Sequence, residues 1–329
     1  MTHVLILGGT GWLSGRVARA WVDAGARVTC LARGGRPAPD GAELIAADRA
    51  APGAYDAVAE REWDEVVEIS STPEHVASAV AVLAPVARHL TYVSSLSVYA
   101  ANDVVGADEG AEVSAPLRPG EEYDYSRAKA AAEASVRDAF GARAAIVRPG
   151  LIVGPGDPTD RFGYWVARLA VAGDGPVLTP TLDDRRAQVI DVDDLAAFLV
   201  ACGRRERSIL ANAIGDSVPF RTLLETAREV TGHSGVVVDG EDDWLIAHDV
   251  QYWVQYWMGA RSLPLWLPSD MPGFATRSNA AYRAAGGHVR DLRDTLERAL
   301  ADERERGLDR VRRSGLTRAE ELALLAELG

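Results

Sequence analysis

Cysteine is scarce in this 329-residue chain, and long apolar runs are missing. The two cysteines, Cys30 and Cys202, are too few for a disulfide framework or a cysteine-rich metal cluster. Both lie in apolar segments, which predicts buried thiols. No histidine has a partner at metal-ligand spacing, so we predict no metal site. No run approaches the roughly 20 apolar residues that cross a membrane, so no membrane contact is expected.

The start of the chain, MTHVLILGG, has no basic region before its apolar stretch and continues directly into glycines. A secretory signal peptide would carry such a basic region. We therefore expect a cytoplasmic protein.

Acidic residues outnumber basic ones, 48 to 35, and the formal net charge is −13. Nucleic-acid-binding proteins cluster lysine and arginine on one surface, and this chain has no long basic run. We therefore expect a small-molecule ligand rather than a nucleic acid, with any anionic group held by individual arginines.

Lysine is the rarest charged residue, because Lys129 is the single lysine of the chain. It follows Tyr125 by four residues in YSRAKAAAE. A randomly placed lysine would fall at this distance from one of the nine tyrosines about three per cent of the time. The ammonium is a compact charge, whereas guanidinium is planar and forked. A site that needs a point charge beside a phenol would explain this lysine, and codon drift is the alternative.

The first half of the chain alternates short apolar strands with amphipathic helices. The predicted strands are His3–Leu7, Arg27–Leu31, Glu43–Ala46, Glu65–Ile69, Leu90–Val93 and Ala144–Val147. This pattern is typical of a doubly wound parallel sheet covered on both faces, the Rossmann form of the α/β class.

Glycine and proline become frequent after residue 150, as in PGLIVGPGDP, and the later segments are mainly helical. This change in composition and predicted secondary structure indicates a second, smaller domain interleaved with the first. We predict a dinucleotide-binding domain over residues 1–150 with part of 185–215. Residues 151–329 are expected to form mostly a substrate domain and C-terminal helices.

A glycine cluster joins the first strand to the first helix in VLILGGTGWLSG. Glycines allow a tight turn and close approach to a pyrophosphate, which binds at the positive end of the helix. Ser14 stands where a third glycine is usual. The residues expected to hold the dinucleotide here are Gly8, Thr10, Gly11, Trp12 and Leu13.

The end of the second strand predicts the type of dinucleotide. NAD sites use a carboxylate there for the ribose hydroxyls, whereas NADP sites use a cation for the 2′-phosphate. The sequence reads CLARGGR, with Arg33 and Arg36 and no carboxylate. We therefore expect NADP(H) rather than NAD(H), with Asp48 near the adenine.

Several motifs in order resemble the extended short-chain dehydrogenases/reductases, also called the NAD-dependent epimerase/dehydratase family. They are the glycine loop, SSLSVY, YSRAK, RPGLIVGPG and VIDVDDLA, within roughly the first 200 residues. The resemblance implies that Ser95 holds the substrate oxygen, Tyr125 is the acid/base and Lys129 binds the nicotinamide ribose. It also implies further cofactor contacts at Arg49, Ser70, Pro149 and Leu151.

These roles agree with the chemistry of the side chains. Tyrosine has an unperturbed pKa of about 10, too high for a base at neutral pH. A nearby ammonium would lower that pKa by stabilising the phenolate. The spacing of four places Tyr125 and Lys129 on one face of a helix, one turn apart.

The second half of the chain is expected to hold the substrate. Candidate substrate residues are Ser97, Arg161, Tyr164, Trp165 and Arg186, with Asp157 as a further lining residue. Trp253 and Trp257, in the tryptophan-rich segment 244–266, are one helical turn apart and favour core or subunit contact over a substrate clamp. The amphipathic segment LTRAEELALLAEL could cap the fold or contribute to a homodimer.

Three departures from the family pattern bear on the substrate. Leu96 and Ser97 replace the acidic pair of the nucleotide-sugar dehydratases. Leu151 replaces an asparagine that helps nucleotide-sugar epimerases hold a diphosphate. Ala187 occupies the position of an expected arginine, with Arg186 beside it. An aliphatic side chain cannot supply the lost hydrogen bonds.

We therefore predict an NADP(H)-dependent oxidoreductase that acts on a small ketone or enone of secondary metabolism, similar to hydroxyisoflavone-reductase-like members of the family. One alternative is an epimerase that retains its cofactor and acts on a nucleotide sugar or related compound. Another is a non-enzymatic member of the fold, which would have no need of the Ser95, Tyr125 and Lys129 set.

Overall fold

Seven parallel strands form the central sheet of the computed structural model, which describes residues 1–250, 259–267 and 269–328. Its strands are β1 (His3–Leu7), β2 (Arg27–Ala32), β3 (Ala42–Ala46), β4 (Trp63–Glu68), β5 (Ala87–Val93), β6 (Ala144–Pro149) and β11 (Ile209–Ala213). Their order across the sheet is β11-β6-β5-β4-β1-β2-β3. The doubly wound α/β class is confirmed. The six predicted strands are present with slightly different bounds, and β11 was not predicted as a strand.

Six short strands form three two-stranded ladders outside this sheet. They are β7 (Leu151–Val153), β8 (Val177–Pro180), β9 (Arg186–Ala187), β10 (Val189–Asp191), β12 (Val218–Pro219) and β13 (Val237–Gly240). β7 pairs with β10 and β8 with β13 in parallel, while β9 and β12 are antiparallel.

The described residues also contain eleven α-helices. They are α1 (Trp12–Asp23), α2 (Asp56–Ala59), α3 (Pro73–Leu83), α4 (Tyr125–Phe140), α5 (Gly163–Ala172), α6 (Val192–Arg204), α7 (Phe220–Thr231), α8 (Asp242–Ala247), α9 (Ala280–Ala284), α10 (Leu292–Arg306) and α11 (Arg318–Leu328). Short 3-10 helices occupy Leu96–Val98 and Gly141–Arg143. None of the helices in the described ranges combines the length and apolar character that a membrane span requires.

The central sheet is covered by helices on both faces, because its strands are apolar on both sides. Helices α1 and α6 pack on one face, around Trp21 and Phe198. Helices α2, α3 and α4 pack on the other, around Trp63 and Tyr92. Cys30 and Cys202 are both buried, as predicted.

A separate core lies in the second half of the chain, formed mainly by α5, α7, α10 and α11 with β8. Trp165 and Trp266 are fully buried in it. Trp253 and Trp257 lie outside the described residues.

Strand register brings several loops to one edge of the sheet. Leu7 of β1 is opposite Glu68 of β4, and Val93 of β5 is opposite Val147 of β6. In parallel sheets of this kind, ligands bind outside the carboxyl ends of the strands, where strand order reverses. Here the reversal lies between β1 and β4.

The glycine loop after β1 has a conformation that other residues adopt at a cost. Gly8 and Gly9 have φ values of 119° and 83°. A Cβ built on Gly9 would lie 2.3 Å from the Cys30 Sγ. Ser14, at the usual third glycine position, accepts a hydrogen bond from the Gly11 N–H at 2.9 Å and so caps α1.

We expect Gly9→Ala to lower the free energy of unfolding by about 1–3 kcal/mol, because it adds backbone strain and a steric clash. Gly15→Ala is the matched control. Gly15 lies in helix α1, and its added Cβ would meet its nearest neighbour at 3.6 Å. This change should be neutral or stabilise by up to about 1 kcal/mol. Urea unfolding of both variants checks the prediction, and equal stabilities would contradict it.

Candidate active site

A cavity of about 360 Å³ lies at the carboxyl edge of the sheet. Its wall comes from the start of α1, the ends of β5 and β6, helix α4 and the segment after β7. The predicted site residues that line it are Trp12, Leu13, Ser95, Tyr125, Lys129, Pro149, Leu151 and Arg161. Residues from distant parts of the sequence therefore share one space. Their chemical roles stay predictions.

The Lys129 side chain is held by the ends of two strands. Its Nζ donates to the backbone oxygen of Ser70 at 3.0 Å and of Val93 at 2.7 Å. The ammonium also lies 4.9 Å from the Tyr92 ring centre, a cation–π contact. Only 3% of the residue is exposed. Burial lowers the pKa of Lys129 to about 7, although the carboxylates of Glu68 and Glu133 oppose the shift.

Tyr125 begins helix α4 and faces Ser95. Asp124 caps the helix by accepting from the Arg127 N–H at 2.8 Å. Tyr125 is 36% exposed overall, but its phenol forms part of the cavity wall. Burial there raises the pKa of Tyr125, whereas the hydrogen bond with Ser95 and the charge of Arg161 lower it. Arg161 is thus a cation that acts on the phenol in this state, while Lys129 bonds to the backbone.

The Ser95 side chain is held in place by the backbone of Ser97. Ser95 caps the 3-10 helix after β5, where its Oγ accepts the Ser97 N–H at 3.1 Å. It is 9% exposed and lines the cavity. Its hydroxyl therefore faces both Tyr125 and the cavity.

A buried ion pair supports the base of the site. Glu133 accepts two hydrogen bonds from the Arg148 guanidinium, at 2.8 and 2.7 Å, and one from the Ser94 hydroxyl at 2.6 Å. Burial opposes ionisation of Glu133, but the Arg148 and Ser94 hydrogen bonds prevail and lower its pKa. Since Glu133 lies one turn after Lys129 on α4, the pair ties this helix to the ends of β5 and β6.

The glycine loop fits the pyrophosphate of a dinucleotide. A side chain on Gly9 would fill the space beside Cys30. Trp12 and Leu13 are the first residues of α1, whose early backbone N–H groups lack intrahelical partners. Trp12 also donates its Nε1–H to the Pro155 oxygen at 2.8 Å, which joins this loop to the segment after β7.

The adenine end of the predicted cofactor site is more open. Arg33 and Asp48 are exposed beyond β2 and β3. Arg49 is half-buried, and its guanidinium pairs with both carboxylate oxygens of the buried Glu68. Ser70 contributes its backbone oxygen to Lys129. Arg49 is therefore held in an internal ion pair. A cofactor could contact only the part of its side chain that this pair leaves exposed.

Four predicted substrate residues do not line this cavity. Tyr164 and Trp165 are fully buried in the core of the second half of the chain, where their rings meet edge to face. Arg186 is exposed and bonds to Ser217 through its Nε at 2.7 Å. Ser97 lies within the 3-10 helix Leu96–Val98 and is not a lining residue of the cavity. The aromatic pair was mistaken for a pocket lining because core and pocket faces of a short amphipathic helix look alike in sequence.

Several cavity residues were not predicted, among them Thr159, Gln188 and Phe274. Thr159 and Phe274 line it beside Arg161, and Gln188 lines it just before β10. The Gln188 side chain joins two other segments of the second half of the chain, accepting the Arg277 N–H at 3.0 Å and donating to the Gly215 oxygen at 2.9 Å. The motif VIDVDDLA begins directly after Gln188, but nothing local in the sequence indicates where the Gln188 side chain points.

The family model described as NAD dependent epimerase/dehydratase family matches residues 4–214 of the chain. That segment contains the glycine loop and the Ser95, Tyr125 and Lys129 set. No curated protein sequence matches the chain.

Solved structures share the fold at low sequence identity. A Burkholderia cenocepacia protein aligns with a TM-score of 0.71 and 19% identity over 92% of this chain and 98% of its own. The enzyme WbmG of Bordetella bronchiseptica, solved in complex with NAD, gives 0.66 and 15% over 93% and 95%. The UDP-glucuronic acid 4-epimerase of Bacillus cereus, also with NAD, gives 0.64 and 14% over 92% and 99%.

The single lysine makes its protonation directly measurable. Protein labelled with ¹³C at lysine Cε should give one side-chain signal, that of Lys129, without assignment by mutation. We expect this signal to titrate with a midpoint near 7, against about 10.4 for an exposed lysine, because burial disfavours the charged form. A midpoint above about 9 would contradict the buried position.

Proposed function

The chain belongs to the NAD dependent epimerase/dehydratase family, and we propose that it is a nicotinamide-dependent oxidoreductase acting on a small alcohol or carbonyl compound. Members of this family use nicotinamide cofactors. The observation that carries the proposal is the shared cavity of Ser95, Tyr125 and Lys129 beside the glycine loop.

We assign the following roles to the residues of the site. Trp12 and Leu13 would bind the pyrophosphate through the helix N-terminus, and Lys129 would bind the nicotinamide ribose with the third of its N–H donors. A bound nicotinamide would supply the hydride acceptor or donor. Ser95 would hold the substrate oxygen, and Tyr125 would remove or return its proton.

The pKa values of the free protein indicate how Tyr125 is prepared for this task. Burial makes the phenol a weaker acid, and two groups already oppose that effect, the Ser95 hydroxyl and Arg161. A substrate oxygen bound between Ser95 and Tyr125 would be within reach of the phenolic proton. This arrangement favours proton delivery to a carbonyl, the direction of reduction, at neutral pH.

The wall of the cavity favours a small and largely apolar substrate. Leu96, Leu151, Ile214 and Phe274 contribute apolar side chains to it. The volume of about 360 Å³ must also hold the nicotinamide end of the cofactor. These features support a ketone or enone, and the finer proposal assigns the chain to the hydroxyisoflavone-reductase-like branch, in secondary metabolism.

The alternative of a cofactor-retaining nucleotide-sugar epimerase has less support in this chain. Ala187 is buried where an arginine is expected, and Arg186 points to Ser217. Leu151 offers the cavity no hydrogen bond. WbmG has also been solved with NAD and UDP together, but at 14% identity this likeness concerns the fold alone.

We further propose NADP(H) as the preferred cofactor. Arg33 follows β2 directly and is exposed, so a 2′-phosphate could approach its guanidinium without displacing an internal partner. Arg49, in contrast, is already paired with Glu68.

The catalytic assignment is tested with the purified protein, NADPH or NADH, and a panel of ketones, enones and nucleotide sugars. We expect NADPH oxidation with one or more ketones or enones. Tyr125→Phe should lower that rate about 10²–10⁴-fold, because it removes the proton donor. Lys129→Arg should lower it similarly, since a forked guanidinium cannot replace the compact ammonium.

Tyr123→Phe is the matched control, because Tyr123 is 58% exposed beside the same helix. It should keep the normal rate. Near-normal turnover of Tyr125→Phe or Lys129→Arg would refute the assignment, and nucleotide-sugar interconversion without net NADPH oxidation would favour the epimerase.

Cofactor preference is tested by fluorescence titration. NADPH should bind about tenfold or more tightly than NADH, because a charge-assisted hydrogen bond to the 2′-phosphate is added. Arg33→Ala should remove this difference, whereas Arg27→Ala, at the opposite end of β2, should retain it. Tighter binding of NADH, unaffected by Arg33→Ala, would instead establish an NAD(H) enzyme.

A further inference from the structure

One part of the active-site cavity wall comes from a segment without regular secondary structure. Phe274 lines the cavity and belongs to residues 271–278, none of which lies in a helix or a strand. Such a segment has no strand partner or helical turn to fix it. Its position depends on hydrogen bonds that other parts of the chain supply.

The Gln188 side chain holds the backbone of this segment at Arg277. Its Oε1 accepts from the Arg277 N–H at 3.0 Å, and its Nε2 donates to the Arg277 oxygen at 2.8 Å. The other Nε2 proton goes to the Gly215 oxygen at 2.9 Å. A glutamine amide has two N–H donors, so both are used within the protein. Gln188 therefore lines the cavity without a donor left for a substrate.

Arg277 extends this constraint to a neighbouring loop. Its guanidinium donates to the Ala101 oxygen at 2.5 Å and to the Asn102 Oδ1 at 3.0 Å, and it lies 3.9 Å from the Tyr99 ring centre. Arg277 is 3% exposed. The bonds that fix its backbone therefore also hold the start of the loop after Tyr99.

The segment contacts the same loop through backbone atoms. The Gly273 N–H donates to the Asn102 oxygen at 2.8 Å, and the Gly106 N–H donates to the Thr276 oxygen at 3.0 Å. A Cβ on Gly273 would lie 2.5 Å from the Val104 oxygen. Residues 103–106 are exposed, so this side of the segment has no buried core to hold it.

Two other side chains bond to the segment, each once. The Ser217 Oγ donates to the Ala275 oxygen at 2.6 Å, and the Asn212 Nδ2 donates to the Ser278 oxygen at 3.2 Å. Neither residue lines the cavity. Gln188 differs from both, because it makes two bonds to the segment and also lines the cavity.

Another part of the cavity wall is closely packed and sets a fixed boundary. Gly150, Leu96 and Ile214 all line the cavity. A Cβ on Gly150 would lie 1.9 Å from the Ile214 Cδ1 and 3.1 Å from the Leu96 Cδ1. The wall that carries Phe274 is held instead by hydrogen bonds to an irregular segment.

We propose that Gln188 is a positioning residue that limits the length of the substrate. It fixes the segment 271–278, and Phe274 on that segment stops the apolar chain of the substrate. This inference rests on the proposed function and narrows its substrate class to ketones with a short apolar chain. Ser95 and Tyr125 hold the reacting oxygen of the same molecule.

The hydrogen bonds of Gln188, rather than its size, suit it to this role. Glutamate has the same shape but no N–H donor, so it would place an oxygen beside the Arg277 and Gly215 oxygens. Methionine has a similar length and cannot replace the amide. Either change leaves buried backbone groups without partners, while the volume of the side chain stays nearly the same. A change in the accepted substrate length would therefore come from the position of the segment.

The test measures binding across a series of 2-alkanones, from 2-butanone to 2-undecanone. Each ketone is added to protein saturated with NADP⁺, which cannot reduce it, or to the free protein if no nicotinamide nucleotide binds. Calorimetry gives the affinities, and the ¹³C signal of Lys129 reports whether the ketone enters this cavity. Hydrogen exchange of peptides that cover residues 271–278 reports separately on how firmly the segment is held.

We expect each buried CH₂ group to strengthen binding to the wild type about fourfold. Beyond a limiting length, the affinity should fall about tenfold or more, because the chain meets Phe274. Gln188→Glu and Gln188→Met should each move this limit by roughly two carbons or more. Backbone exchange within 271–278 should be about tenfold faster in both variants, since the segment loses two hydrogen bonds.

Thr295→Ala is the matched control. It removes a buried hydroxyl of α10 that donates to the Asp291 oxygen at 3.0 Å. This change should lower the stability of the second half of the chain without moving the length limit. Circular dichroism of all variants checks that they are folded.

The outcomes separate this inference from the proposed function. No ketone binding, a wild-type affinity that rises without a limit, the same limit in both Gln188 variants, or an equal shift in Thr295→Ala would overturn the positioning role. A Gln188-dependent limit in a protein that reduces none of these ketones with NADPH or NADH would support the positioning role and overturn the proposed function. Ketone reduction with one length preference in the wild type and both Gln188 variants would do the reverse.

Discussion

The rest of the site depends on one desolvated ammonium. Lys129 is held between the carboxyl ends of β4 and β5 by two backbone oxygens, and it lies against the Tyr92 ring. A charge in this position needs strand ends at the correct spacing, a helix that starts at Tyr125, and surroundings that exclude water. The doubly wound sheet sets the spacing of the strand ends, and capping by Asp124 fixes the start of the helix. Burial of β5 and α4 excludes water from the charge, and the same burial lowers the pKa of Lys129.

Two charge clusters hold distant segments of the chain around this point. Tyr99 lies between the guanidinium groups of Arg148 and Arg277, at 4.8 and 3.9 Å from its ring centre, and donates to Asn212 at 2.6 Å. Asp160 joins the segment after β7 to the end of α10. Removal of one partner from such buried clusters leaves an uncompensated charge. The same contacts that stabilise the fold therefore set the shape of the cavity.

Much of this arrangement could be predicted from the sequence, because the informative signals are local. Apolar runs gave the positions of β1 to β6, and Gly8 and Gly9 indicated a turn that the backbone does adopt. The spacing of Tyr125 and Lys129 indicated one helical face. The contacts that connect distant segments could not be predicted. Gln188 reaches Arg277 across the chain, and Tyr164 has the same sequence context as a pocket residue yet packs in a core.

We infer above all that the buried Lys129 ammonium binds the nicotinamide ribose of a cofactor beside Ser95 and Tyr125. A crystal structure of the protein grown with NADP⁺ tests it most directly. We expect density for the pyrophosphate at the start of α1 and a hydrogen bond of about 3 Å from the Lys129 Nζ to the nicotinamide ribose. Cofactor density elsewhere, or a ribose held without Lys129, would contradict it.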